Sequence, residues 1–291
     1  GYFSYDIIRY IENIPDKCND DLNIPDIRLA RPRSLVIYDN LKKKIFYIEN
    51  VYSDTKIKNY KEAYNNILKK FDLYEHYENI KLPETLTFKK NNSPIKSNIT
   101  KNRFKFLVNK AKNYIRKGDI FQVVLSQRFK RKLQKKPIEI YNYLRKSNPS
   151  PFMFYFNYED FNVLGSSPEI LVRLRKNEIT IRPIAGTRPR GKNSIEDKKY
   201  ELELLKDKKE LAEHLMLLDL GRNDVGKVAK INSVKVTEKF KVEKYSHVMH
   251  IVSNVIGKFN NKFSKFKALL AGFPAGTVSG APKIRAMEII D

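Results

Sequence analysis

Two glutamates near the middle of the chain have the spacing of metal-binding carboxylates. Glu210 and Glu213 lie three residues apart in a leucine-rich segment, which would project both carboxylates from neighbouring positions on one helix face. Glu213 and His214 open a mostly apolar run, and a carboxylate beside a buried run needs a partner such as Mg²⁺, which prefers oxygen ligands. The alternative is that Glu210, which follows Lys208 and Lys209, is one more solvated charge.

Two other side chains have the chemistry for proton transfer. Glu169 follows a Ser-Ser-Pro sequence between two strand-like segments, where partial burial would raise the pKa of its carboxyl and suit it to donating a proton. His250 alternates with apolar residues in the segment YSHVMHIVSN. A charge at a strand edge and a hydrogen-bonded core histidine are the respective alternatives, and the spacing alone leaves both open.

Two Gly-Thr pairs offer backbone N–H groups and a hydroxyl to an anionic ligand. They are Gly186-Thr187 and Gly276-Thr277, and Lys283 follows the second pair closely. Neither pair belongs to a Walker phosphate loop or a GxGxxG fingerprint, so a small carboxylated ligand suits them better than a nucleotide.

The elements that must position these residues include both helices and strands. Apolar spacing predicts an α+β protein with an antiparallel meander in its second half. A polar loop is predicted from Pro83 to Arg103. The other predicted elements are two strands within Leu35–Val51, helices at Lys58–Phe71, Phe104–Lys117 and Ile195–Leu220, strands in Ile120–Ile184, and a segment at Tyr245–Gly257 that is ambiguous between strand and helix.

Composition favours a globular cytoplasmic protein. The 291 residues are 41% hydrophobic and carry a net charge of +24, with the lysines spread along the chain rather than clustered. That spread favours a solvated lysine surface over a nucleic-acid partner. No apolar run approaches the roughly 18 residues of a membrane span, and the single cysteine, Cys18, excludes an internal disulfide.

Four sequence segments in one order resemble the chorismate-utilising enzymes, most closely the branch of anthranilate synthase component I. The segments are GSSPE (Gly165–Glu169), IRPIAGTRPRG (Ile181–Gly191), EHLMLLDLGRND (Glu213–Asp224) and FPAGTVSGAPK (Phe273–Lys283). The resemblance implies a layered sandwich of antiparallel sheets with outer helices. It also implies an N-terminal region at residues 1–95, a chorismate-binding catalytic core at 96–291, and a chain truncated at both ends.

Two positions bear on which branch of the family the chain resembles. Water-adding relatives carry a lysine where this chain has Gln122, and aminodeoxychorismate synthases carry a lysine where it has Ala185. Without these amines the resemblance favours ammonia as nucleophile and anthranilate as product. Aminodeoxychorismate synthase component I is the alternative within the family, and a non-catalytic anion-binding or nucleic-acid-binding protein is the alternative of another class.

The resemblance also implies a role for each candidate residue, in a cavity that Glu213 and Glu169 share. The implied roles are Mg²⁺ binding by Glu213 with Glu210 behind it, acid catalysis by Glu169, assistance of pyruvate elimination by His250, substrate binding by Gly186, Thr187, Thr277 and Lys283, and feedback binding of tryptophan by Pro151, Phe152 and Met153. Cys18 has no nucleophile elbow around it, so the resemblance implies a glutamine amidotransferase subunit as the source of ammonia.

Overall fold

The chain folds into two compact units. The computed structural model describes residues 1–53, 59–75 and 93–291. The smaller unit comprises Gly1–Ser4 and Pro25–Lys89, and the larger comprises Tyr5–Ile24 and Lys90–Asp291. The division predicted at residues 95 and 96 refers to regions of the family and stays a prediction.

The smaller unit contains two strand pairs and a helix. Its elements are β1 (Tyr2–Phe3), β2 (Ile27–Arg28), β3 (Ser34–Asp39), β4 (Lys44–Glu49) and α1 (Tyr60–Glu75). Strands β3 and β4 form an antiparallel hairpin whose turn includes Lys43 in the left-handed region, at φ 50°. The predicted strand pair and helix are therefore confirmed, although Lys58 and residues 83–92 of the predicted loop lie outside the described residues.

The larger unit carries every candidate site residue. Its described helices are α2 (Lys101–Arg116), α3 (Pro137–Ser147), α4 (Ser194–Lys206), α5 (Lys208–Gly226), α6 (Lys265–Gly272) and α7 (Lys283–Ile290), with 3-10 turns at Tyr5–Tyr10 and Gly276–Val278. Its described strands are β5 (Lys96–Ser97), β6 (Gln122–Val123), β7 (Phe129–Lys130), β8 (Phe152–Asn157), β9 (Asn162–Ser167), β10 (Arg173–Arg175), β11 (Glu178–Ile181), β12 (Ile184–Pro189), β13 (Lys235–Lys244), β14 (Val248–Lys258) and β15 (Gly280–Ala281).

A five-stranded antiparallel sheet built around β14 organises the larger unit. Strands β11 and β12 follow one another along one edge of β14, and β13 pairs with its other edge. The ladder is interrupted between β11 and β12 at Pro183, which has no N–H to donate. The α+β class and the antiparallel pairing are confirmed, and the ambiguous segment is a strand. The predicted meander, in which strands pair in chain order, is wrong. Strand β14 follows β11, β12 and β13 in the chain and pairs with all three.

The long helix predicted at Ile195–Leu220 is wrong, because the structure has two helices that meet at Asp207. This residue has an extended backbone, with φ −75° and ψ 106°, and its side chain accepts the N–H groups of Lys209 and Glu210. Aspartate is a strong N-cap because its carboxylate satisfies backbone donors that have no partner within the helix. Asp207 therefore ends α4 and starts α5 as a separate helix.

The main core lies between α5 and the sheet. Leu218 and Val225 of α5 pack with Ile179 of β11 and Val255 of β14. Part of the leucine-rich segment stays exposed, since Leu215 faces outward with 52% of its surface accessible to solvent. The C-terminal half of α5 packs in this core, and its N-terminal half, which carries Glu210 and Glu213, contacts the sheet through Leu211 and His214.

Close packing at Gly257 predicts a large stability effect there. A Cβ atom at this position of β14 would lie 2.7 Å from the Val225 Cγ1 atom and 2.8 Å from the Ala229 Cβ atom. We expect Gly257→Ala to lower the free energy of unfolding by about 2 to 3 kcal/mol, because the buried helix must shift. Urea denaturation measures this effect. Gly226→Ala is the matched control, since no atom lies within 4 Å of its added Cβ, and equal losses in both variants would contradict the packing argument.

Candidate active site

The N-terminal half of α5 brings Glu210 close to the glycine of the first Gly-Thr pair. The Glu210 Oε2 atom lies 3.3 Å from the position that a Cβ would take at Gly186. The Arg188 guanidinium lies 3.5 Å from Glu210 Oε1 and donates a 2.7 Å hydrogen bond to Asp207. Helix α5 and strand β12 thus meet at Glu210 and Gly186, and the predicted binding of a ligand carboxylate by Gly186 and Thr187 stays a prediction.

Glu213 borders an open cavity of about 760 Å³. Its Oε1 atom accepts a hydrogen bond of 3.1 Å from the side-chain amide of Gln122, which comes from β6. The Gln122 Oε1 atom is buried and has no hydrogen-bond partner among the described residues. The cavity is lined by Phe121, Gln122, Lys209, Ala212, Glu213, Leu215, Met216 and Asp219.

A β-bulge in β12 sets the geometry around His250. Gly186 has φ +72°, and the register of β12 against β14 shifts between Ala185 and Thr187. Glycine adopts this left-handed conformation without strain, and such bulges re-aim the side chains that follow. Thr187 therefore lies directly opposite His250, with 3.0 Å between the Thr187 Oγ1 and His250 Nδ1 atoms.

The same bulge assigns a tautomer to neutral His250. Its Nδ1 atom also lies 3.1 Å from the carbonyl oxygen of Gly186. Because a carbonyl oxygen only accepts hydrogen bonds, this contact requires the proton on Nδ1. The Nε2 atom then carries the lone pair and is able to accept a proton.

Glu169 and Thr277 form a second cluster. The Thr277 hydroxyl donates to the Glu169 carboxylate at 3.3 Å, and both residues line a cavity of about 40 Å³. Burial raises the pKa of Glu169, and the Thr277 hydrogen bond opposes that rise. A carboxyl whose pKa is raised by burial is suited to proton donation, as predicted from the sequence.

Glu169 and Glu213 line separate cavities in this structure. The two cavities have no lining residue in common, although α5 contributes to both. Leu217 borders the Glu169 cavity and Met216 borders the Glu213 cavity, and neighbouring residues project about 100° apart around a helix, so the two cavities lie on different faces of α5. The single cavity expected from the sequence is therefore not present among the described residues.

Lys283 lies outside both cavities and is engaged within the protein. It begins α7 and is only 8% exposed. Its ammonium donates to Asp224 Oδ2 at 2.6 Å and to the carbonyl oxygen of Gly272 at 3.0 Å. The predicted contact of Lys283 with substrate stays a prediction, and the contacts present are those of a buried ion pair.

The predicted tryptophan segment lies on the hairpin that leads to Glu169. Phe152 and Met153 are in β8, where they pair with Ser167 and Ser166 of β9. Pro151 precedes the strand. Feedback binding stays a prediction, and the hairpin joins this segment to the strand that ends just before Glu169.

A sequence profile described as chorismate binding enzyme matches residues 1–291. The chain belongs to the chorismate-binding enzyme family. It is 51% identical over its whole length to anthranilate synthase component 1 of Cereibacter sphaeroides and 45% identical to that of Aquifex aeolicus. It spans 58% and 59% of these proteins.

A solved structure of this family supports the fold. The crystal structure of anthranilate synthase component I from Streptococcus pneumoniae TIGR4 superimposes with a TM-score of 0.88 at 36% identity. The match covers all of this chain and 63% of the pneumococcal chain. The α+β fold predicted from the sequence is thereby confirmed as the fold of this member of the chorismate-binding enzyme family.

The residues present in this member of the family fit a bound Mg²⁺ ion in part. No group of three or more His, Cys, Asp or Glu side chains placed to hold a metal occurs in the described ranges. Mg²⁺ is, however, commonly held by one or two protein carboxylates, with water and substrate oxygens as the other ligands. Glu213, beside the larger cavity, is suited to that arrangement, whereas Glu210 does not line this cavity and lies 3.5 Å from the Arg188 guanidinium.

His214 does not belong to this carboxylate pair. The imidazole is fully buried, with its Nε2 atom 2.7 Å from the Ser253 Oγ atom and its ring 5.0 Å from the Phe240 ring. Burial lowers the pKa of His214 to about 4. The metal interpretation that its position next to Glu213 suggested therefore has no support from its contacts, which are those of a core histidine.

The low pKa of His214 predicts acid sensitivity of the fold. A histidine that stays neutral in the folded state stabilises it fully above the unfolded pKa of 6.5, and this stability is lost as the pH falls towards 4. We expect the loss to reach about 3 kcal/mol. Urea denaturation between pH 7.5 and pH 4 measures it, and His214→Gln should lack this part of the pH dependence. Superimposable pH profiles of the two proteins would contradict the assignment.

Two functional contacts had weak signals in the sequence. Only the family resemblance marks Gln122 in the sequence, and its hydrogen bond to Glu213 joins residues 91 positions apart. Asp224, the partner of Lys283, closes the EHLMLLDLGRND segment without any sign of its partner. A buried lysine requires an acidic partner, but only the structure shows that Lys283 is buried.

Across residues 1–53, 59–75 and 93–291, no helix combines the length and the apolar character needed to cross a bilayer.

Proposed function

We propose that the protein containing this chain is component I of an anthranilate synthase and converts chorismate and ammonia to anthranilate and pyruvate. The observation that carries the proposal is the match over the whole chain, at 51% identity, to a protein of that name. The substrate, the product and the partner are proposed for the whole protein, because this chain spans only 58% and 63% of the two related chains.

Two positions support ammonia as the nucleophile. Gln122 carries a neutral amide that donates to Glu213, and Ala185 is a buried methyl group in β12. Neither side chain provides an amine that could activate water or attack the ring. The nucleophile must therefore react with the ring without a general base from these two positions, as ammonia can.

Each candidate residue has a defined role in this proposal. When bound, Mg²⁺ would supply electrostatic stabilisation of the substrate carboxylate, held by Glu213 with Glu210 behind it. Glu169 protonates the departing 4-hydroxyl as ammonia adds at C2. The Nε2 atom of His250 accepts a proton during the later loss of pyruvate, and Gly186 with Thr187 binds a substrate carboxylate.

The ammonia source, feedback and location are further parts of the proposal. Cys18 is exposed and stands in a KCND sequence unlike a glutaminase nucleophile site, which supports a separate glutamine amidotransferase subunit as the source. The position of Phe152 and Met153 in the strand pair that leads to Glu169 supports tryptophan feedback through Pro151–Met153. The single cysteine is consistent with a reducing cytoplasm.

A product assay on the full-length protein tests the function. The protein is incubated with chorismate, Mg²⁺ and an ammonium salt, and anthranilate is measured by fluorescence and pyruvate by a coupled dehydrogenase. Equal amounts of both products are expected. Accumulation of 4-amino-4-deoxychorismate would instead indicate an aminodeoxychorismate synthase, and salt-sensitive DNA binding without turnover of chorismate would indicate a binding protein.

A further inference from the structure

A buried ion pair fastens the loop that carries Thr277. The loop runs from Phe273 to Pro282, between the end of α6 and the start of α7. Lys283 donates to the carbonyl oxygen of Gly272, so one ammonium group contacts both ends of the loop. It also donates to Asp224 at 2.6 Å, which ties both ends to α5.

The two charged partners are withdrawn from solvent. The side chains of Lys283 and Asp224 are 8% and 5% exposed. Asp224 also accepts a hydrogen bond of 3.0 Å from Lys227 through its other oxygen. An ammonium has three donors, and two of them are used here. If Lys283 is removed, Asp224 keeps Lys227 but loses its buried partner, and if Asp224 is removed, the buried Lys283 ammonium is left without a compensating charge.

The loop packs tightly against α5 next to Thr277. A Cβ at Gly276 would lie 2.4 Å from the Leu220 Cδ2 atom, so the loop backbone rests on α5 immediately before Thr277. Asp224 and Leu220 of α5 line the same cavity as Glu169 and Thr277. A displacement of the loop at Lys283 would therefore move the Thr277 hydroxyl relative to the Glu169 carboxylate.

We propose that Lys283 and Asp224 form a positioning pair. The pair holds the Thr277 hydroxyl against the Glu169 carboxyl and so keeps the proton donor of the reaction in place. This inference rests on the proposed function, and it gives Lys283 a role within the protein in place of a contact with chorismate. Burial lowers the pKa of Lys283 and the charge of Asp224 opposes that shift, as expected for an ammonium held by its partner.

Steady-state kinetics of the full-length enzyme separate this role from a substrate contact. Lys283→Met is expected to lower kcat by about 10- to 100-fold, which is the loss that small misplacements of catalytic groups produce. The KM for chorismate should change less than threefold. Lys283→Arg keeps the charge and should recover part of the rate. A large rise in KM with unchanged kcat would overturn the proposal.

A double-variant comparison tests whether Lys283 acts through Thr277. Thr277→Val removes the hydroxyl directly. If the pair acts by placing that hydroxyl, Lys283→Met combined with Thr277→Val should be no slower than the slower single variant. Multiplied losses would overturn the proposal. Asp224→Asn, which keeps the size of the side chain, replaces Lys283→Met if that variant does not fold, with the same expectation.

A direct titration separates failure of this inference from failure of the proposed function. The pKa of Glu169 is followed by NMR with ¹³C-labelled glutamate, assigned through Glu169→Gln. Both Thr277→Val and Lys283→Met should raise it, because each removes the hydrogen bond that opposes its rise. An unchanged Glu169 pKa in a folded Lys283→Met variant would overturn the positioning role whether or not the protein makes anthranilate.

Discussion

Glu213→Gln in the full-length protein is expected to lower the Mg²⁺-dependent rate of anthranilate formation by about 1000-fold. The glutamine side chain has the same size but lacks the charge that a hard cation requires of its ligands. Losing the electrostatic stabilisation that a metal gives to the transition state costs several kcal/mol, which corresponds to a rate change of this order. Initial rates over a range of Mg²⁺ concentrations measure the effect.

Glu203→Gln provides the matched control for this experiment. Glu203 lies on α4, its side chain is 48% exposed, and its nearest cation is Lys199 at 3.9 Å. The control should keep the rate and the Mg²⁺ dependence of the unmodified enzyme. Isothermal titration calorimetry with Mg²⁺ and chorismate adds a readout besides activity, since Glu213→Gln should weaken metal binding. A near-normal rate in Glu213→Gln would contradict the assignment of this residue as a ligand.

Glu169→Gln is expected to lower kcat by about 100- to 10 000-fold, the range that general acid catalysis contributes. The amide fills the same space beside Thr277, but its N–H protons are not acidic enough to transfer to the leaving hydroxyl. Binding of chorismate should persist, so the KM should stay within about threefold of the normal value. Glu159→Gln, in the exposed loop between β8 and β9, is the control and should leave both constants unchanged.

The pH dependence of the reaction checks the same assignment. Because burial raises the pKa of Glu169, the carboxyl keeps its proton to a higher pH than an exposed glutamate. The rate should fall as the pH rises through this pKa, and Thr277→Val should move the fall to higher pH, since the lost hydrogen bond opposes the rise. A Glu169→Gln variant with a raised KM and a normal kcat would contradict the acid role.

Local patterns were enough for the elements whose contacts are close in sequence. The alternation in SLVIYD and KIFYIENV predicted β3 and β4, and the apolar spacing after Phe104 predicted α2 to within a few residues. These predictions held because a hairpin and an amphipathic helix are determined by side chains a few residues apart. The ambiguity at Tyr245–Gly257 arose because β14 is buried on much of its length and so lacks alternation.

The break at Asp207 shows where a local pattern misleads. Leucines continue at helical spacing across it, and only the capping geometry of its carboxylate divides α4 from α5. The break decides which face of α5 lies on the sheet. It therefore decides that Glu210 reaches Gly186 and that Glu213 faces Gln122.

The sequence by itself determined the family, the α+β class and the residue types available for catalysis, because these depend on composition, spacing and the order of short segments. The tertiary structure alone decided that Thr277 meets Glu169, that Lys283 is buried on Asp224, and that Glu213 and Glu169 line different cavities. These contacts join residues 59 to 108 positions apart. Such contacts depend on how helices and strands pack together, and no periodicity within a segment records that packing.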